Sequence, residues 1–163
     1  MFPDDIQNLA QTVVAASIRR GIILATAESC TGGLVAGALT AVPGSSAALD
    51  RGFVTYSNAA KSGMIGVPAD LIVAHGAVSE PVARAMAEGA VAHSDAGLAV
   101  SITGIAGPGG GSADKPVGLV HFAVHDADGT AHVEHRFGDL GRDAVRLASV
   151  RIALQLLLGR LGE

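Results

Sequence analysis

The stretch Leu24-Ala25-Thr26-Ala27-Glu28-Ser29-Cys30-Thr31-Gly32-Gly33-Leu34-Val35-Ala36-Gly37 decides how the chain is read. In front of it, Ile22-Ile23-Leu24 is β-branched and aliphatic, as a buried strand requires. Behind it, Leu34 to Leu39 is small and apolar, suited to a helix lying close on a sheet. Between them sit a glutamate, two hydroxyls, a thiol and two glycines, a strand-to-helix turn loaded with nucleophiles. The first N–H groups of a helix have no intrahelical acceptor, so they point toward whatever precedes them. Two readings stay open on this stretch alone. Ser29 or Thr31 could cap the helix. Alternatively, Ser29 could attack a carbonyl while the same amides hold the resulting oxyanion.

Outward from this turn, helix and strand signals alternate. Asp4 or Asp5 can cap a first helix in which Ile6, Leu9, Val13, Ala16 and Ser17 recur at helical spacing up to Arg20-Gly21. After the turn Pro43-Gly44-Ser45-Ser46, Leu49 to Tyr56 reads as a second strand. Ala59-Ala60-Lys61-Ser62 opens a short helix, and Val67-Pro68-Ala69-Asp70 caps another through Val73. Ser79 caps a longer helix with inward Val82, Met86 and Ala90 and a solvated stripe of Glu80, Arg84 and Glu88. Gly97 to Thr103 is a third buried strand, followed by a glycine loop from Gly104 to Ser112. Pro116–Val124 and Ala131–Phe137, joined by Asp126-Ala127-Asp128-Gly129, form a hairpin. The last helix, Arg142 to Leu158, buries Val145, Ala148, Ile152 and Leu156. The pattern predicts one α/β domain over 1–163, a three-layer α/β/α sandwich with a mixed, mostly parallel sheet.

Composition narrows the function classes. The 163 residues are 49% hydrophobic but only 3% aromatic, so the core is built from small side chains. A net charge of −4 without a basic cluster argues against a nucleic-acid surface. No apolar run would span a membrane, and acidic Met1-Phe2-Pro3-Asp4-Asp5 is unlike a signal peptide. The single Cys30 fits a reducing, cytoplasmic setting.

In open α/β sheets, ligands bind beyond the carboxyl ends of the strands. The three parallel strands deliver Ser29, Tyr56 and Thr103 to that edge, the last with its glycine loop. Lysine usage points to the same edge. The chain has nine arginines and only two lysines, Lys61 and Lys115. Arginine serves wherever charge alone is wanted, so a retained lysine near the crevice is suspect as a group that must lose its proton. Lys61 follows the Tyr56 strand end, whereas Lys115 reads as a solvated turn residue. Arg142 and Arg146, one turn apart at a helix start, repel each other and the helix dipole unless an anion sits nearby. A phosphate would satisfy them, with Asp139 and Asp143 as the local alternative. Gly104 to Gly111 lacks the lysine of a phosphate-binding loop and the spacing of a dinucleotide fingerprint. The six histidines lack a zinc arrangement, although His121 and His125 could approach along a strand. No metal and no cofactor is expected.

Five ordered motifs complete the reading: Ala27-Glu28-Ser29-Cys30-Thr31-Gly32-Gly33, Gly52-Phe53-Val54-Thr55-Tyr56-Ser57-Asn58-x-x-Lys61, His75-Gly76-Ala77-Val78-Ser79, Thr103-Gly104-Ile105-Ala106-Gly107-Pro108 and Lys115-Pro116-Val117-Gly118. Together they resemble the C-terminal domain of the competence-damage-inducible CinA family, whose stand-alone members are nicotinamide-nucleotide amidohydrolases. The resemblance implies hydrolytic deamidation of nicotinamide mononucleotide to nicotinate mononucleotide and ammonia, in pyridine nucleotide salvage. It assigns Ser29 as nucleophile, Lys61 as base and Tyr56 as a supporting residue; for such a serine the amides at the start of the helix, Cys30 and Thr31 first among them, are the expected oxyanion donors. Gly32, Gly33, Thr103, Gly104, Gly107 and Arg142 are the substrate-contacting candidates, and a homodimer is the family-level expectation. One departure is visible: Gly138-Asp139 is separated from Arg142 by Leu140-Gly141, where family members often carry Gly-Asp-Arg. Two other functions compete with deamidation of the mononucleotide: a nucleotide-binding regulatory module without turnover, and an amidase for another small carboxamide.

Overall fold

The computed structural model describes residues 1–163. In chain order the elements are α1 (Asp4–Arg20), β1 (Leu24–Glu28), α2 (Leu34–Thr40), β2 (Leu49–Val54), α3 (Asn58–Ile65), α4 (Ala69–His75), α5 (Glu80–Ala92), β3 (Leu98–Gly104), β4 (Leu119–Asp126), β5 (Gly129–Arg136) and α6 (Arg142–Leu161). The strands form one sheet in the order β2-β1-β3-β4-β5. β1 pairs in parallel with β2 and β3, whereas β4 runs antiparallel to both of its neighbours. Four strands therefore point one way and β4 alone is reversed.

Side chains of successive strand residues point to opposite faces, and this divides the core in two. Leu24, Leu98, Val100, Ile102, Val120 and Phe122 face α1 and α6. Ala25, Ala27 and Ala99 face Val82, Met86 and Ala90 of α5. Alanines on that face let the helix lie close, as the small-residue composition predicts. Gly89 of α5 carries the closest approach: a Cβ there would stand 2.0 Å from the Ile65 carbonyl oxygen. The contact seats α3, the helix that carries Lys61, directly on α5. This is the three-layer α/β/α fold expected from the sequence.

Several boundaries differ from the sequence reading. β1 begins at Leu24, so the half-buried Ile22-Ile23 leads into the strand and Ala25-Thr26-Ala27-Glu28 forms it. β2 ends at Val54, two residues before Tyr56. α1 has no side-chain cap; Pro3 stands at its N-cap. Ser79 occupies the N-cap of α5, but its hydroxyl donates to the Gly76 carbonyl instead. The hairpin turn is shorter than expected, with Ala127-Asp128 between β4 and β5. α6 continues to Leu161, and its buried face is Val145, Ser149, Val150, Ala153, Leu154 and Leu157. Of the four positions expected inside, Val145 is fully buried, while Ala148, Ile152 and Leu156 are half-buried. α6 packs on both the sheet and α1, so its apolar stripe is wider than one heptad seam and turned by about one residue. No helix is long and apolar enough to cross a membrane.

Candidate active site

The three parallel strands end at one edge, and the sheet ladder continues one residue beyond two of them. Ser29 N–H donates to the Ile102 carbonyl and Thr55 N–H to the Glu28 carbonyl, both at 2.9 Å. These bonds hold the backbone of both residues rigidly at the rim. α3 starts immediately afterwards, capped by Ser57, whose hydroxyl accepts the Ala60 N–H at 3.0 Å. Lys61 lies in its first turn and reaches back across the edge. Its Nζ stands 3.1 Å from Ser29 Oγ and 2.9 Å from the Thr55 carbonyl oxygen.

Lys61 is 1% exposed and Ser29 9% exposed. No carboxylate pairs with the lysine: none of the chain's ion pairs includes it. Burial pulls its pKa below the ordinary lysine value, because an ammonium without a counter-anion loses more hydration than it regains. Cys30 opposes this shift only as a thiolate, and burial pushes the Cys30 thiol up to about 12. The thiol is therefore a buried neutral neighbour, and Ser29 holds the bond to the base.

Glu28 has a different role from the one its place in the turn suggests. Its carboxylate accepts the N–H groups of Val35 and Ala36, each at 2.9 Å, and the Thr26 hydroxyl at 3.3 Å. The first-turn amides of α2 are thus taken by Glu28, which corrects the expectation that they face Ser29. Three earlier donors are free, the N–H groups of Cys30, Thr31 and Gly33, of which the first two adjoin Ser29. None has an acceptor within the chain, and all precede α2, which begins at Leu34. Gly32 and Gly33 have φ of 58° and 97°, left-handed values that a side chain would strain. They build the turn; the structure gives them this backbone role.

The remaining candidates divide. Thr103 is 1% exposed and its hydroxyl donates to the Ala77 carbonyl at 2.8 Å, fastening the loop before α5. Thr103 thus stands at the expected edge with its hydroxyl proton taken by the loop. Gly104 packs against β4, where a Cβ would lie 2.8 Å from the Leu119 carbonyl oxygen. The Gly107 carbonyl accepts Arg142 Nη1 at 2.8 Å, and Arg142 Nη2 donates to the Tyr56 hydroxyl at 3.1 Å. Arg142 therefore reaches Tyr56 and the glycine loop despite the two extra residues before it. Tyr56 is 61% exposed and makes no hydrogen bond to Ser29 or Lys61. Arg146 is committed elsewhere: Nε donates to the Cys30 carbonyl at 3.1 Å and Nη2 to the Thr31 carbonyl at 3.2 Å. Lys115 is not simply solvated, since its Nζ donates to the His75 carbonyl at 2.6 Å.

The histidine pair that forms is His121 with His132, cross-strand neighbours, not His121 with His125. No three His, Cys, Asp or Glu side chains converge as metal ligands. Sequence reasoning missed three contributors: the Glu28 carboxylate, the Thr55 carbonyl and the Arg146 anchor. Glu28 lies seven residues before Val35, outside the three-residue spacing of a capping box. The Thr55 carbonyl leaves no sequence signal, because a backbone acceptor has no residue type; Arg146 signals that it needs a partner, but not which, since its bonds join positions more than a hundred apart.

Known proteins share both the sequence and the fold. A family model described as the CinA C-terminal domain matches residues 6–161. A CinA-like protein of Anaeromyxobacter sp. (strain K) is 54% identical over 158 residues, covering 96% of this chain and 38% of the relative. A CinA-like protein of Parasynechococcus marenigrum is 52% identical over 155 residues, covering 94% and 37%. The chain thus spans well under half the length of these curated relatives. Among solved structures, the competence/damage inducible protein CihA of Agrobacterium tumefaciens superposes with a TM-score of 0.97 at 53% identity, over 100% of this chain and 99% of that one. A CinA superfamily protein of Escherichia coli gives 0.90 at 37% identity, over 97% and 92%. Matched from its first helix to its last, the chain belongs to the CinA C-terminal domain family.

Proposed function

We propose that the chain is an amidohydrolase that converts nicotinamide mononucleotide and water into nicotinate mononucleotide and ammonia through a Ser–Lys acyl transfer. The observation that carries this reading is the buried Lys61 Nζ, 3.1 Å from Ser29 Oγ and without a carboxylate partner. Burial lowers the pKa of a lysine so placed, and its neutral form offers a lone pair for the serine proton.

Neutral Lys61 accepts the Ser29 proton as Oγ bonds to the carboxamide carbon. The oxyanion that forms is held by the free N–H groups of Cys30 and Thr31. The carbon–nitrogen bond breaks as the Lys61 ammonium returns its proton to the departing nitrogen, and ammonia leaves an acyl-serine ester. Water then attacks the ester carbon, giving its proton to Lys61. The ester bond to Oγ breaks, Ser29 recovers a proton, and the carboxylate product departs. Tyr56 serves as a substrate contact, since its hydroxyl is bonded to Arg142 and not to the dyad. Arg142 is exposed beside it, with Nε free for a phosphate oxygen, which supports a nucleotide rather than a bare carboxamide.

The test is incubation of the pure protein with nicotinamide mononucleotide, following ammonia and the acid product together. Equimolar release, abolished in Ser29→Ala, is expected. Release that persists in Ser29→Ala would remove the serine mechanism. Nucleotide binding with no release would leave a regulatory module, and release from other carboxamides alone would change the substrate. Ser–Lys chemistry generates its nucleophile without a Lewis acid, so the rate should survive exhaustive chelation unchanged.

A further inference from the structure

We infer that Arg146 is a positioning residue that aims the Thr31 amide of the oxyanion site, an inference that rests on the proposed acyl transfer. In a trans peptide the carbonyl of one residue and the N–H of the next point in opposite directions. Whatever fixes a carbonyl therefore fixes the following N–H. In the turn after β1, the Ser29 carbonyl accepts Gly32 N–H at 3.0 Å, so Cys30 N–H is directed away from that bond. The Cys30 carbonyl accepts Arg146 Nε at 3.1 Å, so Thr31 N–H is directed away from the guanidinium. The Thr31 carbonyl takes Arg146 Nη2 at 3.2 Å and Leu34 N–H at 3.1 Å. Every carbonyl from Ser29 to Thr31 is anchored, and the N–H groups of Cys30 and Thr31, next to Ser29, are left unpaired, as is that of Gly33 further along the turn.

The anchor is unusual for its place. Arg146 stands in the second turn of α6, near the helix end whose dipole already favours anions, and one turn from Arg142. No ion pair includes it. The fork of a planar guanidinium is what bridges two successive carbonyls; an ammonium is a single point charge. A cation on the carbonyl side also polarises each peptide, strengthening the N–H on the far side as a donor. Arg146 thereby acts on the transition state without touching substrate. It also accounts for the second arginine of the pair without a phosphate.

The experiment compares the wild type with Arg146→Ala and Arg146→Lys as the full chain. Two readouts are used: deamidation of nicotinamide mononucleotide, and the rate at which Ser29 is acylated by p-nitrophenyl acetate, followed by mass spectrometry. Misaiming one of two oxyanion donors should lower kcat and the acylation rate by about 10- to 100-fold, at or below the loss from deleting a donor. KM and the dissociation constant for the mononucleotide should stay within about twofold. The conservative Arg146→Lys should remain as impaired as Arg146→Ala, and added guanidinium should restore part of the Arg146→Ala rate. Arg146→Ala acylating Ser29 as fast as wild type would overturn the inference. So would a loss confined to KM, or no rescue in a variant whose circular dichroism matches wild type. If Arg146→Ala does not fold, Arg146→Lys and its acylation rate decide alone. A wild type that acylates Ser29 but never deamidates would sink the substrate reading and leave Arg146 in place. A wild type that does neither would sink both.

Discussion

Lys61 and the His121–His132 pair are both basic groups largely withdrawn from water, and they differ in what faces them. Lys61 meets a serine hydroxyl and a backbone carbonyl, and no anion. His121 and His132 are joined at 2.9 Å, with Glu134 3.9 Å from the outer nitrogen of His121 and Glu80 3.5 Å from that of His132. Burial lowers the pKa of all three. Only in the histidines do carboxylates push back. A buried base with counter-anions is arranged to tolerate a proton, and one without them is arranged to be free of it. The first arrangement tunes stability; the second is the one catalysis can use.

The comparison breaks most visibly at Lys61. Its charge is not what matters under the acyl-transfer reading, so Lys61→Arg should fail about as badly as Lys61→Met. Arginine keeps the charge and the donors but cannot give up its proton. Both should lose at least about 10²–10⁴-fold in kcat, the usual worth of a positioned base. Ser29→Ala should be comparably inactive, since the two act as a unit. Calorimetry should show that Lys61→Arg still binds the mononucleotide. An active Lys61→Arg would reduce Lys61 to an electrostatic partner and erase the contrast with the histidines.

A smaller effect is expected at Arg142. If it holds the phosphate, Arg142→Ala should lose most of the preference for the mononucleotide over nicotinamide riboside while the riboside rate stays nearly unchanged. A charged contact of this kind is worth roughly 1.5–3 kcal/mol, or about 10- to 150-fold. Equal losses on both substrates would make Arg142 a clasp between Tyr56 and Gly107 and nothing more.

The site was more legible in the sequence than the contacts that support it. Ser29 and Tyr56 follow the ends of parallel strands, and Lys61 lies in the first turn of the helix after the second, so order and periodicity suffice to bring the three to one edge. The scarcity of lysine singled out Lys61 without any geometry. Arg146 shows where such reasoning stops. Helix electrostatics demand a partner for a cation at that position, but spacing does not say whether the partner is a phosphate or two carbonyls from a turn 115 residues earlier. Thr103 shows the same limit, since its position at the rim is readable and the loop that claims its hydroxyl is not. A continuous apolar run is enough to read β3 as a buried strand, whereas α1 widens the buried stripe of α6 beyond what the helix's own spacing predicts.

Folding should register the cost of the unpaired Lys61. Its pKa is lower in the folded chain than in the unfolded one, so between the two values the unfolded state binds more protons. Stability then rises with pH through that window, up to the ordinary value of 10.5, and the full penalty is present below it. Lys61→Met removes the group and should unfold at higher temperature than wild type at neutral pH. At this chain length each kcal/mol is worth about 2–4 °C. The gain should shrink toward pH 10. A Lys61→Met that melts below wild type at neutral pH would mean that the bonds to Ser29 and Thr55 outweigh the desolvation, making the lysine a structural clasp.

The smallest effect belongs to the histidines, and its sign follows from the same linkage. Burial is the largest cause of the lowered pKa at both rings; each is further depressed by a nearby cation, Lys115 before β4 or Arg84 on α5. Glu80 on α5 and Glu134 on β5 raise both in partial compensation. Between those lowered values and about 6.5, the unfolded chain holds more protons than the folded one, so stability falls as pH drops through that range. Two protons on the pair would also set N–H against N–H across 2.9 Å. His132→Gln keeps an amide to bond His121 and removes one titrating group. Its melting temperature should therefore fall less than that of wild type between pH 7 and pH 5, approximately the histidine range. Its deamidation rate at pH 8 should stay within about twofold, because the pair touches neither Ser29 nor Lys61. Parallel melting curves across that range would show that the carboxylates compensate the pair fully, and a large loss of rate would tie the histidines to the crevice through the Thr103 strand.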